Sequence, residues 1–337
     1  MPIAHFIAHR IVRSSPTASV ELRQRENEIA LTGKSEELFR ELKNTFVRKA
    51  GKNYGCFSDD SAEFPLCAWL KEYLAEHISF STFCKNALKH LKLQIEKTEN
   101  PLDNVILFIH EQIEAGDAIY VFLVDHSSGQ YFDADLMLCD SLFLDSKNIN
   151  LAAKIKLPEF LVGDHHNYLS VLRWRGEKDL SDAFLSFIGL GNKVDVAADT
   201  SQFLDLVTHY TQDLAPDEAK QTKTAVVDYC LEQDKSGQPV VLDELAKQIP
   251  FDDRPSFSQF VKTTEPQAKS ELIPDKAQLK NFVRISGRNE LLSMSFASAC
   301  LGESVVYDAE TDSITITNIP PSLKSRLVQH LKKSHED

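Results

Sequence analysis

Val105-Ile106-Leu107-Phe108-Ile109 and Ala118-Ile119-Tyr120-Val121-Phe122-Leu123-Val124 carry the decision about fold. Both runs are rich in β-branched and aromatic residues and too short for an ordinary globular helix. Three further runs follow, Tyr131–Leu138, Ile149–Leu157 and Tyr168–Trp174, each bounded by turn-forming residues. Asp125-His126-Ser127-Ser128-Gly129-Gln130 has the composition of a hairpin turn. Short strands with no long helix between them predict an antiparallel meander.

Upstream, Ile3–Val12 and Ser19–Leu31 flank Ser14-Ser15-Pro16 and read as a hairpin. The period then changes. Thr32 or Ser35 can cap a helix whose apolar face is Leu38, Leu42 and Phe46, with Phe39 alongside. Ser79–Glu96 reads as a second long helix with Phe83, Ala87, Leu88, Leu91 and Ile95 inward, stopped by Pro101. Beyond Trp174 the pattern is helical over Asp179–Ile188, Gln202–Leu214 and Asp217–Glu232. Leu242–Gln248 and Ser256–Thr263 read as short helices. Phe282–Ile285, Leu291–Phe296, Ser304–Tyr307 and Ser313–Thr317 read as strands, with a turn at Asp308–Asp312 and a terminal helix opened by Pro320-Pro321. The expectation is an α+β protein: residues 1–195 an antiparallel sheet with packed helices, residues 196–337 a mostly helical domain with a small antiparallel sheet.

The chain has 337 residues, 42% hydrophobic and 26% charged, ordinary globular usage. No apolar run approaches the length a membrane span needs, and the N-terminus lacks a signal-peptide pattern, so no membrane partner is expected. Cys56, Cys67, Cys84, Cys139, Cys230 and Cys300 form no CxxC pair, which fits reduced thiols in the cytoplasm. Phosphate-binding Gly loops, GxSxG and HExxH are all missing. No cofactor is expected.

Lys plus Arg is 37 against 50 Asp plus Glu, a net charge of −13. That balance opposes diffuse attraction to phosphate polymers but not a local basic patch. Five basic clusters stand out: Arg40, Lys43, Arg48, Lys49 and Lys52; Lys85, Lys89 and Lys92 at helical spacing; Arg173 and Arg175 around Trp174; Lys280, Arg284 and Arg288; and Lys324, Arg326, Lys332 and Lys333. Each taken singly suits a solvated face, and late-helix cations such as Arg48 and Lys49 complement a helix dipole. Together they also suit a DNA duplex held on a basic face. Asp164-His165-His166, with Asp133 or Asp135, is similar to the metal-binding tripeptide of the DHH phosphoesterases, though a loop in an antiparallel meander is the wrong setting for it.

Gly51-Lys52-Asn53-Tyr54-Gly55-Cys56-Phe57-Ser58-Asp59-Asp60-Ser61 resembles the K-x-YG-x-FS-x-x-S stretch of the bacterial nucleoid-associated protein family of the NdpA/YejK type. Leu301-Gly302-Glu303, Asp308 to Ile316 and Pro320-Pro321-Ser322-Leu323 resemble that family's ending. The chain departs from it at Ser286-Gly287-Arg288-Asn289-Glu290, where the family is Gly-rich. The resemblance implies a non-enzymatic cytoplasmic protein found with the nucleoid, contacting DNA directly or through proteins already there; with the five basic clusters, the expectation is a protein that binds double-stranded DNA with little sequence preference and serves chromosome organisation. A homodimer is expected because duplex binders often share the two-fold symmetry of their target. The alternative is an acidic interaction module recruited through DNA-processing proteins.

Overall fold

The computed structural model describes residues 3–49, 51–60, 62–114, 116–163, 167–174, 176–191, 193–249, 255–266, 268–269 and 271–333. The chain divides into two compact units, Met1–Asp195 and Val196–Asp337.

The first unit comprises β1 (Ile3–Arg13), β2 (Glu21–Arg23), α1 (Gly33–Arg48), β3 (Lys52–Gly55), α2 (Leu66–Leu74), α3 (Phe80–Ile95), β4 (Leu102–Glu111), β5 (Ala118–Phe132), β6 (Leu138–Leu144), β7 (Leu151–Lys156), α4 (Leu157–Val162), β8 (Leu169–Leu172) and α5 (Lys178–Ile188). The strands form one sheet in the order β2-β1-β4-β5-β7-β8-β3, every pair antiparallel, with β6 attached to β5.

Successive residues of a strand face opposite sides, and here both sides are covered. Ile119, Val121 and Leu123 of β5 join Ile106 and Phe108 of β4 in the core under α3. Tyr120, Phe122 and Val124 join Leu107 and Ile109 in the core under α1. That double burial is why the β4 and β5 sequences are continuously apolar instead of alternating. Helix α1 starts in a capping box: Thr32 Oγ1 accepts the Ser35 N–H, and Ser35 Oγ accepts the Thr32 N–H. Its Phe39, Leu42 and Phe46 lie on one side of the sheet. Helix α3, capped by Ser79, presses Phe83, Ala87, Leu88, Leu91 and Ile95 on the other, with Phe184, Phe187 and Ile188 of α5 in the same core.

Within the family-like motif, the stretch from Tyr54 to Ser58 serves packing. Tyr54 and Gly55 pair with Ser170 and Leu169 of β8. The Phe57 N–H donates to the Tyr168 hydroxyl at 2.9 Å, and its ring packs on Phe160 and Tyr168. Gly189 C-caps α5 at φ +73°, its carbonyl accepts the Ser58 N–H at 2.8 Å, and Gly191 donates to the Cys56 carbonyl. A Cβ on Gly189 would sit 2.8 Å from Phe64 Cβ, so this Gly-Leu-Gly serves a close backbone approach.

Several expectations need correction. Asp125–Gln130 is not a turn: β5 runs straight through it to Phe132. Gly129 is a strand glycine because the Phe143 ring lies across it, 3.0 Å from where its Cβ would be. The turn falls at Asp133–Met137, closed by the Asp133 N–H donating to the Met137 carbonyl, with Asp133 Oδ1 accepting the Asp135 and Met137 N–H groups. Helices α2 and α4 appear where no element was expected. Both are short, nine and six residues, and they pack on the core through Leu66, Leu70, Leu157 and Phe160.

The second unit contains α6 (Val196–Tyr210), α7 (Pro216–Ser236), β9 (Val240–Val241), α8 (Leu242–Gln248), α9 (Phe257–Thr264), β10 (Glu271–Leu272), α10 (Lys276–Phe282), β11 (Arg284–Arg288), β12 (Ser293–Ala297), β13 (Val305–Asp308), β14 (Ser313–Ile316) and α11 (Pro321–Lys333). Helices α6 to α10 enclose one core centred on Val207, Val226, Leu245, Phe257 and Leu279. The strands make three separate two-stranded antiparallel ladders, β9 with β10, β11 with β12 and β13 with β14. Phe282 ends a helix and does not start a strand, because Asp275 caps α10 by accepting the Ala277 and Gln278 N–H groups.

Candidate nucleic-acid interface

Of the cations singled out from the sequence, several are already engaged. Lys43 leans inward from α1, its Nζ 2.5 Å from the Glu111 carboxylate and 5.9 Å from the centroids of Phe39 and Tyr120. Lys52 donates to the Val47 carbonyl at 3.1 Å and to the Lys49 carbonyl, and so caps the C-terminus of α1. Arg40 pairs with Glu37 at 3.6 Å on the exposed surface.

Arg48 and Lys49 face a different environment. Together with Lys147, from the loop after β6, they line an open depression of about 460 Å³ whose other walls are Glu41, Asn44 and Thr45. Glu41 accepts a hydrogen bond from the Ser146 hydroxyl at 2.7 Å. Among the described residues Arg48, Lys49 and Lys147 make no ion pair, leaving three cations against one carboxylate. Lys147 escapes sequence reasoning because it is the lone Lys or Arg between Lys97 and Lys154. Only the sheet brings it beside the end of α1.

The α3 stripe is less available than its spacing promises. Lys85 pairs with Glu26 at 2.7 Å and Lys92 with Glu96 at 3.6 Å. Lys89 is exposed and has no ion pair among the described residues. This stripe and the α1 group also lie on opposite sides of the sheet, since the two helices cover its opposite faces. One duplex lying flat cannot reach both.

Arg173 is exposed, whereas Trp174 is half-buried against the α3-side core, so its indole is a packing group. Arg175 lies outside the described residues. Lys280 is in the last turn of α10, while Arg284 and Arg288 belong to β11. The four-residue spacing therefore does not place all three on one helical face. Arg284 and Arg288 share a strand face, and Arg284 donates to the Ser295 hydroxyl and carbonyl.

The metal-type constellation does not assemble. Asp164, His165 and His166 lie outside the described residues, and Asp133 is committed to the β5–β6 turn. No group of three or more His, Cys, Asp or Glu placed to hold a metal occurs among the described residues.

The buried titratable groups serve the core. Glu111 is 3% exposed and also accepts the Tyr120 hydroxyl at 3.1 Å. Burial, with Lys156 and Lys43 nearby, lowers the Lys154 ammonium to about 8. On the α3 side, burial and the Lys85 charge lower His9 to about 4, so it stays neutral and its Nδ1 accepts the Arg25 N–H at 3.1 Å. His110, also lowered mainly by burial, shares a 2.7 Å hydrogen bond with the Tyr73 hydroxyl, and burial raises that phenol.

The chain is a two-unit α+β protein with a covered antiparallel sheet and an open basic depression, and its relatives share one description. Proteins of Azotobacter vinelandii and Pseudomonas entomophila, each named a nucleoid-associated protein, are 32% identical to it over 330 residues, covering 97% of this chain and 98% of theirs. A nucleoid-associated protein of Metapseudomonas resinovorans is 30% identical over the same length. The family model described as nucleoid-associated protein YejK matches residues 7–324. The chain belongs to the nucleoid-associated protein YejK family. Membership gives it a nucleoid-associated role and a place at the nucleoid in the cytoplasm, and no helix among the described residues is long and apolar enough to cross a membrane.

Proposed function

We propose that this chain is a non-enzymatic homodimer that contacts the phosphates of double-stranded DNA directly, with little sequence preference, in chromosome organisation. The observation that carries this is the depression of Arg48, Lys49 and Lys147, three cations with no ion pair among the described residues, on an otherwise acidic chain. Lysine and arginine side chains on a shallow surface supply phosphate contacts, and such contacts position a duplex without reading its bases. Lys89, across the sheet, is a further exposed cation for a second segment of DNA, and Arg173 is another exposed cation.

The test is fluorescence anisotropy of a labelled duplex of arbitrary sequence across a salt series. Log K should fall by about 0.9 per phosphate contact per decade of salt. Replacing Arg48, Lys49 and Lys147 by alanine together should lower that slope by about 2 to 3 and weaken all sequences alike. A triple variant with wild-type affinity and slope would remove this depression from the interface. The net charge of −13 favours a second reading, recruitment through DNA-processing proteins. Partners that survive nuclease treatment of a pull-down, combined with no DNA binding at low salt, would select it.

A further inference from the structure

The β5–β6 hairpin leaves the sheet. β4 pairs with β5 only as far as Asp125, and β7 only between Ala118 and Leu123, so residues 126–132 have β6 alone as a ladder partner. Cross-strand register puts Phe132, Leu138 and Leu142 on one face of this arm and Tyr131 and Phe143 on the other. Leu136 and Met137 form its tip, and all seven side chains are exposed. Leu136 is 78% exposed and adopts φ +58°, a conformation that Gly or Asn would take at lower cost. A strained, solvent-facing leucine at a hairpin tip has no folding rationale within this chain.

We infer that the arm is a clasp that docks on a second copy of this chain, seated on the β11–β12 hairpin of that copy. This rests on the homodimer proposed above and names its contact surface. The chemistry selects the occupant. From Asp125 to Ser146 the sequence has no Lys or Arg, and Asp133, Asp135 and Asp140 lie on the arm. That charge repels nucleic-acid phosphates and anionic lipid headgroups alike. The seat carries the complement: exposed Arg284 and Arg288 beside Ile285, Leu292 and a 99% exposed Leu291.

The area is sufficient. The Phe132, Leu138 and Leu142 face with the Leu136 and Met137 tip, five side chains at roughly 200 Å² each and more than half exposed, offers roughly 600 Å² of apolar surface per protomer, and each protomer's seat adds to it. A standard interface takes about 800 Å² from each partner. Two exchanged arms related by a two-fold axis therefore supply a stable dimer, and covering them removes an apolar patch that a soluble monomer rarely tolerates.

The experiment is light scattering coupled to gel filtration, with sedimentation for the dissociation constant. It is run on the full chain and on the variant Phe132→Ser, Leu138→Ser and Leu142→Ser, with circular dichroism to confirm folding. Leu136→Gly is the second variant, because it relaxes the turn while removing the tip. We expect a wild-type dimer and a dissociation constant at least about 100-fold weaker in the triple variant, with Leu136→Gly also weaker and no less folded. A photo-crosslinker at Leu136, in mixed light and heavy isotope protein, should join one copy to residues 284–292 of another. A dimer that survives both variants, or crosslinks only within one chain, overturns the clasp and leaves the homodimer standing. A wild-type monomer at micromolar concentration overturns both.

Discussion

Replacing Lys43 with alanine is expected to cost stability and leave DNA affinity nearly untouched. Glu111 is 3% exposed, and its carboxylate receives Lys43 Nζ at 2.5 Å and the Tyr120 hydroxyl at 3.1 Å. Removing one partner of a fully buried pair costs about 3–5 kcal/mol, because the remaining charge stays buried without compensation. Here the Lys43 side chain is 31% exposed, and Lys154 adds positive charge near Glu111, so water and a second cation share the compensation. The expected loss is about 2–3 kcal/mol. Adding Glu111→Gln to Lys43→Ala should restore about half of it, since the amide oxygen still accepts from Tyr120 and no charge is stranded. Urea unfolding at pH 7 for wild type, both single variants and the double variant closes the cycle. Anisotropy on the folded proteins reads DNA affinity in parallel, where a change within about twofold is expected for Lys43→Ala. A loss of stability below about 0.5 kcal/mol, together with a tenfold loss of DNA affinity, would refute the assignment of Lys43 to the core.

Acid should destabilise the first unit through His9: folded near 4 and unfolded near 6.5, it leaves the unfolded chain binding more protons in between, so stability falls by about 3 kcal/mol as pH drops across that window. Urea midpoints between pH 7 and 4.5 measure this, and a slope unchanged in His9→Gln would assign the acid sensitivity elsewhere. For Lys154 the folded value of about 8 lies below the unfolded 10.5, so stability should rise as pH climbs from 8. Lys154→Met should stabilise the protein at pH 7 by about 1–2 kcal/mol and abolish that rise, whereas a destabilised variant would show the ammonium to be net favourable. Gly189→Ala should lower stability by about 2 kcal/mol, from its positive φ and the Phe64 contact, and a neutral result by thermal unfolding would refute that close approach.

Local chemistry made much of the fold readable. Thr32 and Ser79 sit before stretches of apolar residues at helical spacing, and the caps and buried faces of α1 and α3 follow directly. The β4 and β5 runs declared themselves strands by composition. Ser127-Ser128-Gly129 has turn composition yet lies inside β5, and only the ring of Phe143, fourteen residues on, explains a glycine inside a strand. Helices α2, α4 and α10 are nine, six and seven residues long, too short for apolar spacing to separate a helix from a strand or loop, and packing contacts and caps decide them.

The candidate site divides in the same way. The sequence by itself determined which residues carry charge, that acids outnumber bases, and the two terminal motifs that tie the chain to its family. It also set the helical and strand periods, because those depend on neighbours within a few residues. Only the tertiary structure decided which cations remain available. Lys43 turns inward to Glu111, Lys85 and Lys92 meet acids across space or along the helix, and Lys147 arrives beside Arg48 and Lys49 from a distant loop. It alone set α1 and α3 on opposite sides of one sheet and projected the β5–β6 arm away from it. Electrostatic pairing and exposure depend on distance in space, and the sheet register fixes those distances between residues about a hundred positions apart in the chain.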